Sequence, residues 1–252
     1  MIKLNDVIVT PTIFPDKTSQ VWKIDISILK NNVNMIAWQF ENENEFLHVA
    51  QLKKLVNNLR PNARTILNIP YFPYARQDHV VSNATTFALR SFLELLNTLR
   101  FNGIFTVDLH SNIPFEYLDN LTNVYPHEAI KNAIDSFQPD LIVFPDKGAQ
   151  MRYAHRFTLP HISIHKERDQ LTGYLTIKGI INNDNIILSG KKCLIVDDLC
   201  DGGGTFILAA QELFNADVKE VGLYTTHGIY SKGVQVLKDN LISRVFNLNG
   251  EV

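Results

Sequence analysis

The run Cys193-Leu-Ile-Val-Asp-Asp-Leu-Cys-Asp-Gly-Gly-Gly-Thr-Phe206 constrains the fold more than any other stretch of the chain. An apolar segment leads into two adjacent acids, Asp197 and Asp198, then a glycine-rich turn, and a helical pattern from Phe206. Apolar strand, tight turn and helix in that order open a βαβ unit. The glycines leave bare backbone N–H groups at a helix N-terminus, a natural phosphate cradle. Acids at the strand end can accept from ribose hydroxyls or face a hydrated Mg²⁺. Paired carboxylates beside such a cradle suit a phosphorylated sugar. The bland alternative is a strand–turn–helix corner with no ligand.

Strand-like and helical patterns alternate along the rest of the chain. Residues 65–70, 103–108, 141–144, 192–196 and 220–225 read as strands, and 85–99, 127–137 and 206–214 as helices. The alternation implies a mainly parallel sheet, with functional residues just past the strand ends. A boundary near Tyr125-Pro126 divides the chain into two α/β halves, 1–125 and 126–252, with no low-complexity linker. A length of 252 residues suffices for a proper core, and 45% hydrophobic with 20% charged residues is ordinary for a soluble protein. The net charge of −2 argues against nucleic acid as a partner. No apolar run reaches membrane-spanning length, and the start has no signal pattern. Cys193 and Cys200 read as buried thiols of a reducing compartment, so a cytoplasmic location is expected.

Several clusters follow the strands. Pro70-Tyr-Phe-Pro-Tyr-Ala-Arg-Gln-Asp78 presents Arg76 for phosphate oxygens and Gln77 or Asp78 for an adenine amino group. His110, in Asp108-Leu-His110, reads locally as a structural histidine. In Phe144-Pro-Asp-Lys-Gly148, Asp146 reads locally as a helix N-cap. Lys166 and Arg168, two apart on an extended segment, share a face and read locally as an exposed charge run.

The glycine run resembles the 5-phosphoribosyl-1-pyrophosphate loop of type I phosphoribosyltransferases and ribose-phosphate pyrophosphokinases, with Gly202 where the pattern has its first Thr. The 71–78 run is similar to the ATP-site signature of the pyrophosphokinases, which ordinary phosphoribosyltransferases lack. The other clusters follow in the family's order. The resemblance implies two type I phosphoribosyltransferase-like domains, an ATP-binding one over 1–125 and a sugar-phosphate-binding one over 126–252. It implies transfer of the β,γ-diphosphoryl group of ATP to the C1 hydroxyl of ribose 5-phosphate, with release of AMP. ATP falls to Arg76, Gln77 and Asp78, and to Phe14 and Asp16 from a neighbouring subunit of a homo-oligomer. The sugar phosphate falls to Asp197, Asp198, Asp201, Gly202, Gly203, Gly204 and Thr205. Mg²⁺ falls to His110 and Asp146, and catalysis to Lys166 and Arg168.

Departures from the pattern point to alternatives. The roomier Asp201-Gly-Gly-Gly-Thr205 turn can admit a substituted phosphate such as ADP-ribose, on which some short viral relatives act. The segment His79-Val-Val-Ser-Asn-Ala-Thr-Thr86 has no Lys or Arg, unlike the basic regulatory segment of the family, and Thr18 replaces its usual Glu. A non-catalytic regulatory relative and a phosphoribosyltransferase are the further alternatives.

Overall fold

Strands buried on both faces need helices packed over them, and the long apolar runs of this chain meet that need in two separate units. The structure, a computed structural model, describes residues 1–168 and 175–252; the side chains of Arg168 and Leu175 lie outside the description. The units are Met1–Tyr125 and Pro126–Val252.

The first unit has a six-stranded sheet in the order β2-β1-β5-β6-β7-β8. Its strands are β1 (Ile2–Leu4), β2 (Val7–Val9), β5 (Val33–Trp38), β6 (Arg64–Asn68), β7 (Gly103–Val107) and β8 (Leu121–Val124). The last four run parallel, and β1 and β2 are antiparallel. A separate hairpin joins β3 (Thr12–Ile13) to β4 (Ser19–Gln20). The helices are α1 (Glu45–Leu59), α2 (Ala88–Thr98) and the short α3 (Pro114–Tyr117). Along β5, Asn34, Ile36 and Trp38 are buried while Val33 and Met35 are exposed, the period-2 alternation of a sheet with one packed face. Trp38 packs beside Phe92 of α2 at 6.2 Å, and its indole N–H donates to Glu45 at the start of α1 (2.9 Å).

The second unit has a seven-stranded sheet in the order β11-β10-β9-β12-β13-β14-β15. Its strands are β9 (Leu141–Phe144), β10 (His161–Arg168), β11 (Leu175–Ile181), β12 (Lys192–Cys200), β13 (Glu220–Gly228), β14 (Arg244–Asn247) and β15 (Gly250–Glu251). All neighbours are parallel except the edge strands β11 and β15. Helices α4 (His127–Phe137), α5 (Lys147–Tyr153), α6 (Gly204–Asn215) and α7 (Gln235–Lys238) accompany it. All four residues of β9 are buried, as are Cys193 to Cys200 of β12. Both cysteines are free and buried. Among the described residues, no helix is long and apolar enough to cross a membrane.

The α/β class with mainly parallel sheets is as the sequence implied, but several boundaries differ, and three of them have a clear cause. Helix α2 starts at Ala88 rather than 85, because the Thr85 hydroxyl accepts from the N–H groups of Val81 and Ser82 and holds 81–85 as a turn. Strand β12 does not stop at Val196. Its pairing with β13 continues through Asp197, Leu199 and Cys200, so the acids lie within the strand rather than past its end. Helix α6 starts at Gly204 rather than Phe206, because Gly203 at φ 78° serves as its cap.

Candidate active site

Asp197 and Asp198 are successive residues of a strand, and their side chains ought to diverge. Both nevertheless accept from one nitrogen: Arg152 Nη2 donates to Asp197 Oδ1 at 2.8 Å and to Asp198 Oδ1 at 2.6 Å. Asp197 Oδ1 also accepts from the Asp198 N–H (2.9 Å). Arg152 lies in the last turn of α5, which follows β9, and β9 pairs with β12. The guanidinium thus reaches the acids through sheet neighbours. Burial opposes its charge, but Asp198 and Asp197 drive its pKa upward. Burial, then the neighbouring charge of Asp198, push Asp197 well above its ordinary 3.8, with Arg152 only partly offsetting them.

The sign of that shift has a consequence for stability. The folded chain holds the Asp197 proton more tightly than the unfolded chain does, so this group favours folding most below 3.8. The contribution is lost as pH rises through the elevated value. Urea unfolding followed from pH 4 upward should therefore show a downward slope that Asp197→Asn flattens. A slope unchanged in the variant would remove Asp197 as its source.

Asp146 caps α5: its Oδ1 accepts from the Ala149 N–H at 2.7 Å. Its Oδ2 lies 2.8 Å from Lys166 Nζ of β10. The capping role read locally from the sequence is therefore present, together with an ion pair the sequence does not reveal. Burial alone would raise the Asp146 pKa, but the Lys166 charge and these hydrogen bonds leave it lowered, so the carboxylate stays ionised. Arg168 closes β10, and its side chain lies outside the described residues.

The turn 201–205 leads from β12 into α6. Gly203 is obligatory on two counts: φ is +78°, and a Cβ there would lie 2.6 Å from Leu237 Cδ2. Gly203→Ala should cost about 1–3 kcal/mol of stability, measured by urea unfolding. A wild-type midpoint would show that the turn relaxes freely. Gly204 and Thr205 open the first turn of α6, where a helix leaves its leading N–H groups without intrahelical acceptors.

In the first unit, the segment after β6 is pinned. The Gln77 N–H donates to Tyr74 O (2.9 Å), the Leu89 N–H donates to Gln77 O (3.2 Å), and the Tyr74 hydroxyl donates to Glu43 (2.6 Å). Burial, and next the Glu43 contact, push the Tyr74 hydroxyl up to about 12. Arg76 and Gln77 are exposed and Asp78 is half-buried. Burial pushes the Asp78 carboxyl up, but a hydrogen bond from His79 (2.7 Å) and the nearby His110 help bring it below its ordinary value. Asp78, in the segment after β6, and His110, just past β7, thus lie near enough to interact electrostatically. Phe14 and Asp16 lie in the β3–β4 hairpin. The Asp16 carboxylate closes the turn by accepting from the Thr18 N–H (3.0 Å) and hydroxyl (2.7 Å). Phe14 stacks on Trp22 at 6.2 Å.

Arg152 and Trp22 went unread in the sequence. Trp22, eight residues from an aromatic on a short hairpin, was the detectable one. Among the described residues, no group of three or more His, Cys, Asp or Glu could hold a metal ion unaided.

A parallel sheet whose strand ends carry a glycine turn, an acid pair and an ionised acid–lysine pair defines a class, and comparison with known proteins identifies it. The family model described as the phosphoribosyl transferase domain matches residues 127–252, and the chain belongs to that family. Relatives matched more widely are ribose-phosphate pyrophosphokinases. That of Pyrococcus abyssi is 34% identical over 66% of this chain and 58% of its own length. That of Maricaulis maris is 32% identical over 75% of this chain and 62% of its own. The chain therefore spans about three-fifths of the length of these relatives. The crystal structure of phosphoribosylpyrophosphate synthetase from Mycobacterium smegmatis shares the fold, with a TM-score of 0.75 and 22% identity over 96% of this chain and 81% of that one.

Proposed function

We propose that the chain is an ATP-dependent pyrophosphokinase acting on ribose 5-phosphate. The observation that carries the proposal lies in the second unit. Asp146, Lys166 and the Arg152–Asp197–Asp198 cluster sit toward the ends of the adjacent parallel strands β9, β10 and β12, where the glycine turn begins. A sugar phosphate presents hydroxyls and a dianion, and this edge offers carboxylate acceptors and backbone donors. Asp197 and Asp198 take the ribose hydroxyls, and 201–205 takes the 5-phosphate. Arg76, Gln77 and Asp78 of the first unit take ATP, with Phe14 and Asp16 as further contacts.

Mg²⁺ fits this donor set. It prefers oxygen and keeps several waters, so one or two protein ligands beside phosphate oxygens suffice. His110 and Asp146 are each proposed as such a ligand, taken separately within its own unit, and the carboxyl of Asp146 is held charged. When bound, the ion neutralises charge on the ATP phosphates. The C1 hydroxyl oxygen of the sugar forms a bond to the β-phosphorus. The bond from that phosphorus to the α–β bridging oxygen breaks, AMP leaves with that oxygen, and the hydroxyl proton passes to solvent. Lys166, together with Arg168, stabilises charge on the transferring group.

The names of the relatives favour ribose 5-phosphate over ADP-ribose as acceptor. The two buried free thiols suit a cytoplasmic enzyme. The exposed Ile13 and Trp22 around the Phe14 hairpin support a homo-oligomer. The test offers ribose 5-phosphate and ADP-ribose separately with ATP and Mg²⁺ and weighs the products. The expected result is one added diphosphoryl unit on ribose 5-phosphate, with equal AMP. No AMP with either acceptor would make the chain a non-catalytic binder. Base-dependent pyrophosphate release without ATP would make it a phosphoribosyltransferase.

A further inference from the structure

The glycine turn lies beneath a second loop that the proposed chemistry has not used. The N–H groups of Ile229 and Tyr230 donate to Cys200 O at 2.8 and 3.3 Å. The chain leaving β13 is thereby tied to the last residue of β12, immediately before the turn. It then crosses the glycines. A Cβ on Gly202 would sit 3.5 Å from Cε and 3.6 Å from Cδ of Lys232, so the lysine stem occupies the space beside that missing side chain. Gly233, at φ +79°, bends the loop directly after Lys232, and Leu237 covers Gly203. Lys232 is exposed. The hydrogen bonds of Ile229 and Tyr230 and the bend at Gly233 fix the loop on either side of it, and its stem lies along Gly202.

Charge balance at the turn asks for such a cation. The turn itself contributes one carboxylate, Asp201, and no positive side chain. Arg152 is engaged by the acid pair, and Lys166 by Asp146. A phosphate dianion arriving at backbone N–H groups alone would meet the carboxylates of Asp197, Asp198 and Asp201, with Arg152 and Lys166 already paired to acids. An ammonium with three donors on a flexible stem is a point charge suited to phosphate oxygens.

We propose that Lys232 is a phosphate-binding residue, its ammonium contacting the 5-phosphate held by the 201–205 turn across the bare face of Gly202. The inference rests on the reading of that turn as a sugar-phosphate site. The test uses calorimetry on the full chain with ribose 5-phosphate, unphosphorylated ribose and ATP. Lys232→Gln should weaken ribose 5-phosphate about tenfold or more, as expected for loss of a charge-assisted contact. ATP affinity and the thermal midpoint should stay at wild-type values, and Lys232→Arg should recover most of the lost affinity. Wild-type ribose 5-phosphate affinity in Lys232→Gln overturns the inference and leaves the turn assignment standing. An equal loss of ATP affinity, or no recovery with arginine, also overturns it by making the lysine structural. Failure of the wild-type chain to bind ribose 5-phosphate better than ribose overturns both.

Discussion

Lys166→Ala is expected to lower turnover by about 10³-fold or more while ATP affinity stays near wild type. The magnitude follows from what diphosphoryl transfer requires. Little covalent chemistry falls to the protein, so positioned positive charge supplies most of the assistance. Lys166 is well prepared for that role. It sits on β10 immediately after a register shift between His165 and Lys166, and it pairs across the sheet with Ile177. Its ammonium is held 2.8 Å from Asp146, with about a fifth of the side chain exposed. A lysine placed this way loses little freedom when the reacting group arrives. The same ion pair gives the variant a second signature. Asp146 is kept ionised against burial chiefly by Lys166, so the variant should raise its pKa and move the acid limb of the pH–rate profile upward. Lys166→Arg should keep the acid limb while losing part of the rate. AMP release and nucleotide titration measure both parameters. Wild-type turnover in Lys166→Ala would strip the residue of its assigned role.

Local patterns of the sequence carried over into structure, and pairings set by the sheet did not. The strand–glycine–helix order around 193–206 was legible because each part has its own signal: β-branched apolar residues, glycines, then helical periodicity. The end of β12 was not. Polar Asp197 and Asp198 look like the close of an apolar strand, but hydrogen bonding to β13 persists through Cys200 and keeps both acids buried. Asp146 shows how one residue can satisfy a local and a tertiary reading together, as the cap of α5 and the partner of Lys166. Arg152 was invisible for a different reason. Its partners lie 45 and 46 residues away, and only the adjacency of β9 and β12 brings them within reach. Lys232 reaches the turn in the same way, through the adjacency of β12 and β13.

Arg152→Ala is the second large effect, and it acts first on stability. The guanidinium separates two buried like charges, and its removal leaves them uncompensated. Deleting one partner of a buried ionic cluster typically costs about 3–5 kcal/mol, because the remaining charge is desolvated without a counter-ion. Arg152 is 23% exposed at its side chain and Asp198 only 4%, so solvent offers the acids little relief. The pair has one escape, which is to take up a proton. Asp197 is already shifted upward by burial and by Asp198, and losing the cation shifts it further. The folded variant then binds a proton that the unfolded chain releases, so its deficit relative to wild type must widen as pH rises. Urea unfolding at pH 5 and pH 8 should show the larger loss at the higher pH. Arg152→Lys restores one charge without the planar fork and should recover part of the deficit. Affinity for the sugar phosphate should fall with the acid pair misplaced or protonated, while ATP affinity holds, since the residues proposed to take the nucleotide belong to the other unit. A pH-independent loss of stability would mean that the aspartates stay ionised without Arg152, and that the arginine serves packing rather than charge.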